Sequence, residues 1–198
     1  MTRKKPLRFF LDWLLLPTVI LVLYLSGWLP EVQGFVQRGV LATGLFNPTT
    51  EQEAAPAAYD LALVPFAGGP AASLQQWRGK TIFLNFWASW CPPCVAEMPD
   101  IQQLYETMGD EVVFVLVDLD EDRAKAERFL ARKGYTFPVY RLAGSLPAAY
   151  ASNSIPTTYV ISPDGEIRWR HAGMAQYNTD QFQQFLRTLE DDAQDHPR

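Results

Sequence analysis

Trp87-Ala88-Ser89-Trp90-Cys91-Pro92-Pro93-Cys94 is the stretch from which this 198-residue chain is best read, because it holds both of the chain's cysteines in one C-x-x-C pair. The short apolar run Thr81 to Trp87 lies just upstream and has the pattern of a buried strand. Cys91 to Met108 reads as a helix. A strand that ends where a helix begins aims backbone N–H groups and the positive end of the helix dipole at the helix's first residues. A thiol placed there gives up its proton more readily, and the thiolate is the reactive form. Cys91 takes that place. Pro92 and Pro93 fill the first helical positions, where a missing N–H costs nothing, and they stiffen the loop. Cys94 follows one turn on, on the same face as Cys91, so the two sulfurs can meet.

This geometry predicts thiol–disulfide exchange. The Cys91 thiolate attacks a substrate disulfide and forms a mixed disulfide. Cys94 then attacks the Cys91 sulfur, releases the reduced substrate and leaves a Cys91–Cys94 disulfide. Run backwards, the same steps oxidise a substrate. A zinc or iron–sulfur site needs about four ligands. There is no second C-x-x-C, and His171 and His196 are the only histidines, so no metal is expected. Covalent haem attachment requires a histidine after the second cysteine, and Val95 stands there. A purely structural disulfide is the bland alternative, but closing so short a loop stabilises little. The redox disulfide itself is the only cofactor expected. With both cysteines in one motif there is no disulfide framework, and stability rests on packing.

Outward from the pair, elements alternate. Val112 to Asp118 is a buried strand rich in β-branched residues. Glu121 to Lys133 reads as a helix with acids in its first turn, Arg132 and Lys133 in its last and Gly134 just beyond. Thr157 to Ile161 is a strand, Pro163-Asp164-Gly165 a turn, and Glu166 to Arg170 the returning strand of a hairpin. Asn178-x-x-Gln181 has the form of a capping box. It opens a last helix with Phe182, Phe185, Leu186 and Leu189 on one face. The pattern predicts an α/β domain, with a central mixed sheet, helices on both faces and a right-handed first crossover.

Composition sets the wider frame. At 48% hydrophobic and 20% charged residues the chain can bury a core. The net charge is -5, and Arg3, Lys4, Lys5 and Arg8 cluster ahead of the first apolar run. No basic patch suits nucleic acid, and that class is set aside. Phe9 to Leu29 is apolar except for Asp12 and a few small polar residues. As a helix it would span about 31 Å at roughly 1.5 Å per residue, the thickness of a bilayer core. Trp13 and Trp28 fall near its ends, where interfacial aromatics sit, and the basic cluster puts the N-terminus in the cytoplasm. The alternative is a cleaved signal peptide, but the run is long and Tyr24-Leu25-Ser26-Gly27-Trp28 is a poor cleavage site. The expected plan is a basic stub and transmembrane anchor over 1–30, a juxtamembrane segment and linker over 31–58, a redox domain over 59–190 and an acidic tail over 191–198. Within 31–45, Val32, Phe35, Val36, Val40 and Leu41 suit a surface-lying amphipathic helix, and a plain stalk is the equal alternative.

Phe86-Trp87-Ala88-Ser89-Trp90-Cys91-Pro92-Pro93-Cys94-Val95-Ala96-Glu97-Met98-Pro99 resembles the active-site stretch of membrane-anchored TlpA/ResA-type thioredoxin-like proteins, which include the CcmG/DsbE group. The resemblance runs from about Tyr59 to Leu189. It extends to Ser154-Ile155-Pro156-Thr157-Thr158-Tyr159 and to Ser162-Pro163-Asp164-Gly165. It implies a thioredoxin fold and thiol–disulfide exchange outside the cytoplasmic membrane, usually as a reductant recharged through a membrane donor of the DsbD/CcdA type. Protein disulfides in cytochrome c or metal-site assembly are the implied clients. The resemblance also makes Pro156 a cis-proline beside the sulfurs, with the Ile155 backbone available to an extended client.

Other residues are read around this frame. Glu97 lies three residues after Cys94, on its face. As a buried carboxyl it would take the proton from Cys94 when that thiol attacks; a solvated helix acid is the alternative. Asn85 stands where thioredoxins proper place an aspartate, and it is read as a structural hydrogen-bonder. Trp90 is expected to shield the nucleophile or contact the client, together with Pro92 and Pro93. Trp87 is expected in the core, and His171 on the surface after the hairpin. Two other functions compete: a disulfide oxidant, and a module that binds a client or metal without turnover.

Overall fold

The computed structural model describes residues 15, 17–22, 24–26, 28–41 and 54–195. In chain order its helices are α1 (Leu29–Leu41), α2 (Pro92–Met108), α3 (Arg123–Lys133) and α4 (Asp180–Asp195). Its strands are β1 (Ala55–Pro56), β2 (Ala62–Pro65), β3 (Ala72–Ser73), β4 (Ile82–Trp87), β5 (Val113–Asp118), β6 (Val139–Leu142), β7 (Thr157–Ile161) and β8 (Glu166–Ala172). They form one mixed sheet in the order β1-β8-β7-β4-β5-β6-β2-β3.

The centre of the sheet is built as its apolar pattern requires. β4 is buried along its whole length. Phe83 and Trp87 face one core, and Ile82, Leu84 and Phe86 face the other. β5 pairs with β4 in parallel, Phe83 opposite Phe114, and β7 pairs with it antiparallel, Asn85 opposite Thr158.

The expectation of helices on both faces is corrected. Met98, Ile101 and Leu104 of α2, Ala126 and Phe129 of α3, and Phe182 and Leu186 of α4 join the core of Phe83 and Trp87. The opposite core is closed by Tyr59, Leu61 and Leu63 and by two 3-10 turns carrying Leu74 and Tyr150. The reason is topological. β4, β5 and β6 advance in one direction across the sheet, so two crossovers of the same hand leave α2 and α3 on one face.

Several boundaries shift. Ala55 and Pro56, assigned to the linker, pair with Ile167 and Glu166 as an edge strand. α3 starts at Arg123, so Glu121 and Asp122 precede it, and Asp122 caps it by accepting from the Ala124 N–H at 3.0 Å. Gly134 closes α3 at φ 70°, a left-handed conformation that suits glycine. The cap of α4 is Thr179, whose Oγ1 accepts from the Phe182 N–H at 3.2 Å, rather than the expected Asn178. Asn178 instead donates from Nδ2 to Gln103 Oε1 at 3.2 Å. His171 lies within β8, half-buried and stacked on Trp169, rather than beyond the hairpin.

Among the described residues no helix is long and apolar enough to cross a membrane. The basic stub, much of the expected anchor and residues 42–53 of the juxtamembrane segment and linker lie outside the described residues. Those described between 15 and 25 are helical, with exposed side chains. α1 packs on α2: a Cβ added to Gly34 would lie 3.0 Å from Val95 Cγ1 and 3.1 Å from the Pro92 carbonyl. Glu31 is buried at this junction and pairs with Arg132 and with Lys133, the latter at 2.6 Å. Phe35 and Val36 point outward, 70% and 65% exposed. α1 is therefore docked on the domain through Gly34 and Glu31, and its Phe35–Val36 side is left facing outward.

Candidate active site

The site forms where β4 ends and α2 begins. Cys91 is the N-cap of α2, and its Sγ accepts from the Cys94 N–H at 3.3 Å. Pro92 and Pro93 occupy the first turn, as their lack of N–H allows. The two cysteines are joined in a disulfide with Cα atoms 5.3 Å apart. Cys94 is fully buried and Cys91 nearly so. Trp90 stands outside them, 56% exposed, while Trp87 is buried in the core as expected. On the far side of the sulfurs the Ile155–Pro156 bond is cis, and the Ile155 carbonyl oxygen lies 3.7 Å from Cys91 Sγ. Residues 152–157 are tied by hydrogen bonds, among them Thr157 Oγ1 to the Ser154 carbonyl at 2.7 Å. The Gly173 N–H holds the Pro156 carbonyl at 2.8 Å.

Glu97, three residues after Cys94 on α2, is fully buried. Asn85 Nδ2 donates to its Oε1 at 2.9 Å, and the Ala175 N–H and the Tyr177 hydroxyl approach Oε2 at 3.3 and 3.4 Å. Asn85 Nδ2 also reaches Thr158 Oγ1 at 2.8 Å, and Thr158 Oγ1 lies 2.7 Å from the Tyr177 hydroxyl. Burial pushes the Glu97 carboxyl well above the usual carboxylate range, although the three donors favour its charged form. The solvated-acid reading of Glu97 therefore fails. Asn85 is the buried hydrogen-bonder expected of it.

A buried acidic pair was missed from sequence. Asp120 is buried and accepts from the Ser89 N–H and the Ser89 hydroxyl, both at 2.7 Å. Asp118, also buried, accepts from the Asp120 N–H at 3.0 Å. Arg141 donates to the Asp120 carbonyl at 2.6 Å, and its Nε lies 3.9 Å from Asp118. Burial, and then the adjoining Asp120, push the Asp118 carboxyl up to about 7, against the pull of Arg141. Two acids alternating at the end of an apolar strand were the available signal. Tyr177 carries no such mark; its place depends on the fold alone. Among the described residues no cluster of His, Cys, Asp and Glu could hold a metal ion.

A family model described as Redoxin matches residues 51–185. The thiol-disulfide oxidoreductase ResA of Halalkalibacterium halodurans is 34% identical over 122 residues, which cover 60% of this chain and 69% of that protein. ResA of Geobacillus thermodenitrificans is 33% identical over 159 residues, 78% of this chain and 84% of that one. Among solved structures, StoA from Bacillus subtilis matches with a TM-score of 0.53 at 26% identity, over 69% of this chain and 98% of StoA. Likeness in sequence and likeness in fold agree with a dithiol pair set at the start of a helix. The chain belongs to the Redoxin family, as a thioredoxin-fold thiol–disulfide oxidoreductase of the TlpA/ResA/CcmG kind.

Proposed function

We propose that this oxidoreductase works as a reductant of protein disulfides outside the cytoplasmic membrane, tethered by its apolar N-terminal run. Cys91 attacks the client disulfide, and Cys94 resolves the mixed disulfide. Glu97, one helical turn beyond Cys94 on the same face, takes the proton that Cys94 sheds when it attacks. Trp90, Pro92, Pro93 and the Ile155–Pro156 loop frame the client segment. Electrons arrive through a membrane donor of the DsbD/CcdA type, and the clients belong to cytochrome c or metal-site assembly.

The observation that carries the reductive direction is the buried Glu97 carboxyl. A strong oxidant owes its potential to a stabilised reduced form. A carboxyl held beside the thiols works against a thiolate there and favours the disulfide. The tether rests on the apolar run 9–29, on the basic residues ahead of it and on the outward apolar side of α1.

Two measurements test the reading. Equilibration with a redox buffer should place the Cys91–Cys94 couple near thioredoxin, about −270 mV, rather than near DsbA, about −120 mV. Cys94→Ser should accumulate mixed disulfides at Cys91 with extracytoplasmic proteins, identified by mass spectrometry. A potential near that of DsbA would replace the reductant by an oxidant. A reactive Cys91 that traps no protein would remove the protein client.

A further inference from the structure

The Asp118–Asp120 pair takes no part in the exchange chemistry described above, yet it is bonded to the turn that presents Cys91. The Ser89 N–H and hydroxyl both end on Asp120 at 2.7 Å. Two residues on, the Cys91 N–H returns to the Ala88 carbonyl at 3.2 Å. The turn is thus fixed at one end by the β4–β5 pairing, which the Leu119 N–H extends to the Trp87 carbonyl at 2.9 Å, and in its middle by a single carboxyl group. That group is itself held from behind. Asp118 accepts from the Asp120 backbone N–H at 3.0 Å, and Arg141 of β6 donates to the Asp120 carbonyl at 2.6 Å. The groups facing Asp118 are Asp120 from its own strand end and Arg141 from β6; the group facing Asp120 from the active-site turn is Ser89.

We propose that Asp120 is a positioning residue for thiol exchange, acting through Ser89, and that a proton shared between Asp118 and Asp120 keeps the Ala88–Cys91 turn in its reactive geometry. The chemistry favours this. Two acceptor-only groups packed together cannot both be charged without repulsion. Asp118 Oδ2 is buried without a hydrogen-bond partner among the described residues, and Arg141 Nε reaches it only at 3.9 Å. A proton between the two carboxyls supplies the missing donor. Its loss sets two like charges side by side, and the one free to yield is Asp120, whose remaining bonds lead to a solvent-facing turn. The turn then loosens, Trp90 and Cys91 lose their fixed presentation, and client attack slows even where the thiol is well ionised. The site is therefore a proton-sensitive clamp on the redox turn, separate from the titration of the thiols.

The test uses the oxidised full-length chain in detergent micelles, where no thiol titrates. Amide exchange at Ser89 and Trp90, corrected for its intrinsic pH dependence, is followed from pH 5.5 to 8.5. Protection should fall by about tenfold through neutrality, the factor that about 1.4 kcal/mol of carboxylate repulsion produces. Asp118→Asn supplies a permanent donor and should keep protection flat over the range. Glu97→Gln should leave the fall in place. A flat wild-type profile would overturn the proposal, as would a fall that persists in Asp118→Asn or disappears in Glu97→Gln. Activity gives an independent readout, using a disulfide peptide with dithiothreitol as donor. Ser89→Ala, which keeps the N–H, should raise KM or lower kcat several-fold while leaving the redox potential unchanged. A shifted potential would mean that the turn acts on the sulfurs directly and would overturn the positioning role.

Discussion

Two buried acidic sites flank the cysteine pair, and they differ in who supplies their hydrogen bonds. Glu97 sits behind Cys94 and receives an amide, a backbone N–H and a phenol hydroxyl. All three are neutral donors. Asp120 sits beside the turn and receives both of Ser89's donors, while its neighbour Asp118 is another acid. A carboxyl among neutral donors can exchange a proton without disturbing its surroundings, which suits chemistry. A carboxyl that holds the middle of a turn cannot, which suits structure. The contrast predicts that removing Asp120 should mainly cost stability, and removing Glu97 should mainly cost rate.

The largest expected effect lies on the structural side. Asp120→Ala deletes two short hydrogen bonds to a buried carboxyl and leaves the Ser89 N–H without its partner. Together these should cost about 3 kcal/mol of unfolding free energy by urea titration. A loss below about 1 kcal/mol would mean that the turn is held elsewhere and would erase the contrast. Next comes the chemical side. Glu97→Gln keeps the shape and the contact with Asn85 but cannot take a proton. Release of client from the mixed disulfide should slow by about 10²-fold, the usual range for a lost general base. Stability should change by less than about 1 kcal/mol. Stopped-flow rates and urea curves on the same variant separate the two effects, and a large stability loss with an unchanged rate would reverse the assignment.

Burial raises the Asp118 and Glu97 carboxyls in the folded chain, and this fixes the sign of the pH dependence. Asp118 moves from 3.8 to about 7 on folding, so its folded form binds a proton that the unfolded form has already lost. The stabilisation is fully present below the unfolded value near 3.8 and disappears as pH rises through about 7. Glu97 acts in the same direction. Unfolding free energy should therefore fall by on the order of 2 kcal/mol between pH 5 and pH 8. Asp118→Asn should flatten the part of the slope near neutrality. An unchanged slope in that variant would assign the whole effect to Glu97 and leave Asp118 without a part in it.

The two sites also differ in how far they could be read from sequence. Glu97 was legible because it stands three residues after Cys94 in a helix whose start the two prolines and the cysteine define. Its burial follows from sharing the face of Cys94. The strands β4, β5 and β7 were equally legible, since strands buried on both faces leave short runs dominated by apolar and β-branched residues. Asp118 and Asp120 were not, because acids at the end of a strand read as the point where the chain reaches water. Only the fold shows that the turn before Cys91 closes over them. The one-sided helix packing was hidden for a similar reason. Helix patterns report which stripe is buried but not which face of the sheet receives it, and that depended on β6, a short strand in which only Val139 is buried. The edge strands β1 and β3 are two residues each, too short for any periodicity. His171 was misplaced because β8 runs on to Ala172, past the polar residues that seemed to end it.

Tyr177 makes the smallest and most discriminating test of the comparison. Its ring is core, in edge-on contact with Phe83, Trp169 and Phe182. Its hydroxyl joins the chemical site, 2.7 Å from Thr158 Oγ1 and 3.4 Å from Glu97 Oε2. Tyr177→Phe keeps the packing and removes only that hydroxyl. The loss of stability should be about 1 kcal/mol, that of one buried hydrogen bond. The hydroxyl favours the charged form of Glu97, so its removal should push that carboxyl further up. The pH at which the Cys94 step gains speed should then rise, with little change in the rate of attack by Cys91. A variant that slows both steps equally would show that the Glu97 network holds the shape of the site, as the Asp120 network does. The distinction between a carboxyl for chemistry and a carboxyl for structure would then collapse.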